Sequence, residues 1–175
     1  MLSNDKLFDK GFEYLVNKYQ ERLYWHIRKM VHFHEDADDV IQNTFLKVFK
    51  SIKGFKSQSK LYTWMYRIAT NETINYLNKN KKHIHQNMND ALNEFENKLK
   101  SDEYFDGDKA QLLLAKGIEQ LPAKQKQVFI MRYYDDLSYN DISEILNVTV
   151  GSLKASFHHA MKKVETYLKE NVSYV

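Results

Sequence analysis

Five glycines and one proline in 175 residues leave this chain few places to reverse direction tightly. A sandwich or barrel of short strands needs turn residues every 8–12 positions or so. Helices with brief connections are therefore the expected architecture. The length suits one larger domain or two small ones, and two small ones fit better. With 43% hydrophobic and 28% charged residues there is enough apolar surface to bury a core. The absence of cysteine excludes disulfides, thiolate nucleophiles and cysteine-ligated metals. No apolar run approaches the roughly 20 residues of a membrane span, and the first ten residues are not an apolar secretory core. A soluble, cytoplasmic protein without a membrane role is expected.

Helical periodicity is clearest near the start. Phe8, Phe12, Leu15, Val16, Tyr19, Leu23, Ile27 and Met30 recur at steps of three and four, which predicts one long amphipathic helix with Asp5 as its cap. The cluster Glu35-Asp36-Ala37-Asp38-Asp39 suits the positive start of a second helix carrying Val40, Ile41, Phe45, Val48, Phe49 and Ile52, ended by Gly54. A third helix is predicted from about Lys60 to Asn80, burying Leu61, Met65, Ile68 and Leu77. Residues 1–80 form the first expected domain. Residues 81–108, rich in Asn, Lys and acids, read as a flexible acidic linker. Residues 109–175 form the second domain, with Pro122 in the first turn of an internal helix.

The formal charge of +3 conceals a sorted distribution. Residues 1–80 hold +4, the linker −3 and the second domain +2. No acid occurs from residue 40 to residue 71, a stretch of +6 interleaved with Phe49, Phe55, Tyr62, Trp64 and Tyr66. That mixture suits phosphate neutralisation with base stacking.

In the second domain, Ser138 can cap a helix containing Ile142, Ile145 and Leu146. Asn147 sits where the chain must reverse, because Asn tolerates the left-handed conformation. A second helix starts at Thr149 or Val150 and turns Leu153, Phe157, Ala160 and Val164 inward. Ser152, Lys154, Ser156, His158, His159 and Lys162 are left for solvent or a DNA groove. This is the helix-turn-helix layout, which is shared by DNA readers and by helical pairs that never touch DNA.

These segments together resemble the extracytoplasmic-function sigma factors, the small two-domain promoter-recognition subunits of bacterial RNA polymerase. Asp36-Ala37-Asp38-Asp39-Val40-Ile41-Gln42-Asn43-Thr44-Phe45 is similar to the family's polymerase-docking signature. Thr63-Trp64-Met65-Tyr66-Arg67-Ile68-Ala69-Thr70-Asn71 resembles its promoter-melting helix. Leu121-Pro122 through Arg132-Tyr133, with Leu137-Ser138-Tyr139-Asn140-Asp141-Ile142, resembles its second domain.

The resemblance implies that Asp38, Asp39, Gln42, Asn43 and Phe45 dock on the clamp coiled coil of core polymerase. A helix dipole would account for the acids but gives no reason for the two amides. It implies further that Tyr62, Trp64, Tyr66, Arg67, Asn71 and Asn75, with a loop that includes Asn78 and Lys79, engage the opened strand at the minus-ten element. Trp64, one turn from Leu61 and Ile68, suits the core as well as a stacking platform. Ser152, Lys154, Ser156 and His159 would read the minus-thirty-five duplex, with His158 and Lys162 nearer phosphates. Ser156, His159 and Met161 stand where many members carry Arg, which implies a weaker electrostatic grip. An anti-sigma factor is an implied partner, and the linker's charge suits a basic polymerase channel or a solvated tether.

Histidine pairs at His32/His34, His83/His85 and His158/His159 lack a helical ligand spacing, so no metal is expected. No phosphate loop, serine elbow or catalytic carboxylate pair is present, and neither a cofactor nor an enzymatic activity is expected. The competing reading is a helix-turn-helix repressor or activator acting without sigma activity.

Overall fold

The computed structural model describes residues 2–31, 33–84, 97 and 109–172. Helices α1 (Leu2–Val31), α2 (His34–Ser51) and α3 (Leu61–Ile84) make the first half of the molecule. Helices α4 (Lys109–Glu119), α5 (Ala123–Phe129), α6 (Tyr139–Leu146) and α7 (Val150–Val172) make the second. A 3-10 turn at Ile52–Gly54 closes α2, and a π turn at Ile130–Tyr134 extends α5. No strand occurs among the described residues, in keeping with the scarcity of Gly and Pro.

Three boundaries differ from expectation. Helix α1 begins at Leu2, so Asp5 lies inside the helix rather than capping it. Helix α3 continues to Ile84, so Asn78 and Lys79 ride on a helix instead of a loop. The long side chains and amides there do not interrupt a helix the way Gly or Pro would. Pro122 is the cap residue preceding α5 (φ −53°, ψ 141°) and not part of its first turn. The expected linker lies outside the described residues apart from residues 81–84, where α3 continues, and 97.

Helices α1, α2 and α3 pack on one another around Leu15, Leu23, Ile27, Val40, Val48, Met65, Tyr66 and Ala69, all buried. The N-terminal stripe of α1 is therefore a core face, as its periodicity implies. Four threonines, Thr44, Thr63, Thr70 and Thr73, are buried in this half. Thr44 and Thr73 satisfy their hydroxyls on the Val40 and Ala69 carbonyls, at 2.8 and 2.7 Å, and Thr70 on His26 at 3.1 Å. Helices α4, α5 and α6 pack against α7, where Leu121, Phe129, Ala160 and Val164 are buried.

The two halves also touch. Helix α3 packs against α6, and α1 against the π turn. Val128, Met131, Leu137, Ile142, Ile145 and Leu153 share one cluster with the core of the first half.

Candidate nucleic-acid interface

The acidic start of α2 sorts its side chains by helical register. Ala37, Val40, Thr44 and Val48 face inward. Asp39, Gln42 and Asn43 are exposed and share a face at spacings of three and four, which continues to Leu46, 58% exposed. Asp38 is half-buried and lies 3.3 Å from His34 one turn earlier. Phe45 packs against the core. Its ring is half-buried there, whereas Leu46 lies off the apolar stripe and is exposed. Helix α2 is tied to α3 by Tyr76, which donates to Asp36 at 2.6 Å, and by the Lys47–Glu72 pair. Burial, followed by the Asp36 hydrogen bond and the charges of Asp36 and Asp39, pushes the Tyr76 phenol up to about 12.

On α3, Arg67, Asn71, Asn75, Asn78 and Lys79 are all exposed. Their spacing of three and four draws one polar, basic row along the helix. Lys47, Ile68, Asn71, Glu72, Ile74 and Asn75 line a shallow cleft beside it. Trp64 is half-buried and its ring lies 5.1 Å from that of Phe55. Together with Lys56, Gln58, Arg67 and Glu144 these two rings line an open cleft of about 520 Å³ between the halves.

Two of the expected strand-contacting aromatics are not free in this arrangement. Tyr66 is fully buried, and its hydroxyl accepts from Arg22 Nε at 3.1 Å. Burial, with the negative charge of Asp135 adding, pushes its phenol well above the ordinary value against the pull of Arg22. Tyr62 is half-buried next to Lys60 and Asp141. Arg67 donates to the Glu144 carbonyl of α6.

The helix-turn-helix forms as its residues dictate. Ser138 caps α6, accepting from the Asp141 amide at 3.1 Å, and Asn147 closes it in the left-handed region (φ 54°, ψ 49°). The Thr149 hydroxyl accepts from the Ser152 amide at 3.4 Å at the start of α7. Leu153, Ala160 and Val164 point inward. Ser152, Lys154, His158, His159 and Lys162 are exposed and Ser156 half-buried, so these side chains lie on the outer face of α7. Asp141 is the exception to an otherwise apolar inner face. Its burial favours the neutral acid, but hydrogen bonds from Ser138, Tyr62 and Lys60, and the Lys60 charge, outweigh that and hold its carboxyl below the usual range.

Residues with no sequence signal also converge on this region. His26, Arg22 and Asp135 meet where α1 touches the π turn. His26 is fully buried, with Nδ1 2.6 Å from the Asp135 carboxylate and Nε2 3.1 Å from the Thr70 hydroxyl. Nothing in their local sequence marks them, because the partners are 44 and 109 residues away. Among the described residues no group of three or more His, Asp or Glu side chains could hold a metal ion. No described helix is long and apolar enough to cross a membrane.

Residues 15–83 match the family described as Sigma-70 region 2, and residues 111–164 match Sigma-70, region 4. The chain is 30% identical over 168 residues to the ECF RNA polymerase sigma factor SigW of Bacillus subtilis, covering 91% of this chain and 90% of that one. The chain belongs to the extracytoplasmic-function sigma factors. It is 29% identical to the sigma-E factor of Haemophilus influenzae, over 91% of this chain and 88% of that one. Its fold matches RpoE of Bartonella quintana, solved with the anti-sigma factor NepR, at a TM-score of 0.71 and 20% identity, covering 93% of this chain and 99% of the other. It also matches CnrH, solved with the cytosolic domain of CnrY, at 0.69 and 18%, covering 93% and 90%. This sigma factor directs core RNA polymerase to promoters, and both Sigma-70 regions are present in order. A helix-turn-helix regulator without sigma activity is thereby set aside.

Proposed function

We propose that the surfaces of this sigma factor divide the work of initiation. The exposed face of α2, formed by Asp39, Gln42, Asn43 and Leu46 with Asp38 at its edge, docks on core polymerase. Phe45, half-buried against the core, sets the orientation of that face. The α3 row, Arg67, Asn71, Asn75, Asn78 and Lys79, with Tyr62, Trp64 and Tyr66, takes the opened minus-ten strand. Helix α7 enters the major groove of the minus-thirty-five element with Ser152, Lys154, Ser156 and His159, while His158 and Lys162 meet phosphates. Residues 1–80 and 109–175 are the working domains and residues 81–108 join them. The protein acts in the cytoplasm with the polymerase, without covalent chemistry of its own.

The observation that carries this reading is the separation of two exposed rows on one three-helix unit. One row, on α2, is acidic and amide-bearing with an apolar C-terminal end at Leu46. The other, on α3, is basic and amide-bearing with aromatics at its N-terminal end. An acidic face repels DNA but suits a basic protein surface, and a basic aromatic row suits a single strand.

Run-off transcription with core polymerase on mapped promoters tests the division. Leu46→Asp should weaken core binding by about 10–100-fold, as loss of an apolar anchor does. Asn75→Ala should leave core affinity intact and reduce open-complex formation. Lys162→Ala should lower promoter affinity across sequences and flatten its dependence on log salt by about one unit of slope. Core binding that is insensitive to Leu46→Asp would refute the docking assignment.

The same reading includes an anti-sigma partner. The Bartonella factor was solved with the anti-sigma factor NepR bound, and CnrH with the cytosolic domain of CnrY. Co-expression with the product of an adjacent reading frame, followed by gel filtration and transcription, should yield a stable and inactive complex.

A further inference from the structure

Helix α7 carries its basic side chains in two kinds. Lys154, Lys162 and Lys163 are exposed cations, and among them the outer face holds His158 and His159, also exposed, with ring centres 5.9 Å apart. Lys154 and Lys162 stand one turn to either side of His158, and Lys162 and Lys163 follow His159 by three and four residues. No acid occurs from residue 145 to residue 164. The first beyond them, Glu165, is paired with Lys169 at 2.6 Å.

The elements packed against α7 bring no carboxylate into an ion pair with either ring among the described residues. From α6, Tyr139 faces Lys154, whose Nζ lies 5.9 Å from the ring centre, and the Arg132 guanidinium lies 5.3 Å from the same ring. The acids of these elements are engaged elsewhere: Glu119 by Lys126, Asp136 by Arg132, and Asp141 by Ser138 and Lys60. Glu144 is exposed on α6. His26 and His34 differ, because each has a carboxylate of its own, Asp135 at 2.6 Å and Asp38 at 3.3 Å. A counter-charge for His158 and His159 has to come from another molecule.

Histidine is the side chain whose charge ordinarily changes between pH 5 and 8. A neutral imidazole has one donor and one acceptor, whereas the protonated ring has two donors and a positive charge. The phosphodiesters of DNA stay ionised across that range and only accept. A protonated ring on a phosphate therefore makes a charge-assisted hydrogen bond and releases a counterion, which a neutral ring does not. Arg, which stands at the position of His159 in many members of the family, is charged at every such pH. His159 makes that charge conditional.

We propose that His158 and His159 are a proton-gated DNA contact. Protonated, the two rings donate to phosphate and groove-edge acceptors of the minus-thirty-five duplex. Neutral, they hold it weakly. DNA then favours the protonated rings, and by linkage protons favour the bound state, so promoter affinity rises as pH falls through the histidine range. This rests on the reading of α7 as the groove-entering helix proposed above, and adds to it a control by pH that needs no protein partner.

Holoenzyme assembled from core polymerase and the full chain tests the gate by equilibrium binding to a mapped promoter at about pH 6 and about pH 8. Polymerase has pH dependences of its own, so the quantity read is the ratio of wild-type affinity to that of the double variant His158→Gln with His159→Gln. Glutamine keeps a polar side chain on an exposed helix face and does not titrate. The ratio should be near one at the higher pH and rise by on the order of tenfold at the lower. At the lower pH the wild-type dependence on log salt should be steeper than that of the variant by about one to two units of slope. His158→Arg with His159→Arg should show the low-pH affinity at both values. A ratio above one that does not change with pH would overturn the gate and leave the α7 contacts standing. A ratio of one at both values would also overturn it, and Lys162→Ala then separates the causes. If Lys162→Ala still weakens binding, α7 meets DNA without these rings; if it does not, the groove assignment itself fails.

Discussion

Tyr66, proposed above as a strand-binding residue, is held in the core. Its ring is buried, and its hydroxyl is held by Arg22. Tyr66→Phe keeps the packing and loses that bond, so it should lower stability by about 1 kcal/mol. Tyr66→Ala should lower it by about 3–5 kcal/mol through the cavity it leaves. Urea unfolding followed by circular dichroism separates the two. Asp141 carries a pH signature with a defined sign. Its folded carboxyl titrates below the usual value of 3.8. Its contribution is therefore complete above the ordinary Asp range and disappears as pH falls through the lowered value. The stability gap between wild type and Asp141→Asn should be flat above about pH 5 and shrink below about pH 4. A gap that widens on acidification would contradict the hydrogen-bond pattern at this carboxyl.

At the scale of elements, the turn of the helix-turn-helix is set by two residues. Ser138→Ala removes the cap of α6 and should cost about 1 kcal/mol. Asn147→Val places a β-branched residue at φ 54° and should cost about 1–2 kcal/mol or more, whereas Asn147→Gly should be nearly neutral. Thermal melts of the three variants measure what the cap and the left-handed residue contribute to stability. The same elements show what local sequence encodes well. The α1 stripe, the acidic start of α2, the Ser138 cap and the Asn147 reversal are near-neighbour effects, and each is found where its residues predict it. Element ends were less legible. The extension of α3 to Ile84 reflects a gradual loss of apolar positions, which carries no sharp stop signal.

For the molecule as a whole, the two halves share a single apolar cluster that runs from Leu15 to Leu153. Heating should therefore give one cooperative transition, coincident by far-ultraviolet circular dichroism and tyrosine absorbance. Asp135→Asn should lower the midpoint of that single transition, because it removes a buried hydrogen bond to His26 between the halves.

The sequence by itself determined that the chain is helical, that it carries two sigma regions in order, and which faces of α2 and α7 are polar. These properties follow from spacings of three and four, from caps, and from charge runs, all of which act within a turn or two of the residue concerned. Only the tertiary structure decided that Tyr66 is covered and that Asp135 reaches His26 across 109 positions. No period in the sequence links an aspartate after a π turn to a basic row on the first helix. Their pairing exists because burying a carboxylate demands opposite charge and hydrogen bonds, and the fold supplies both from α1.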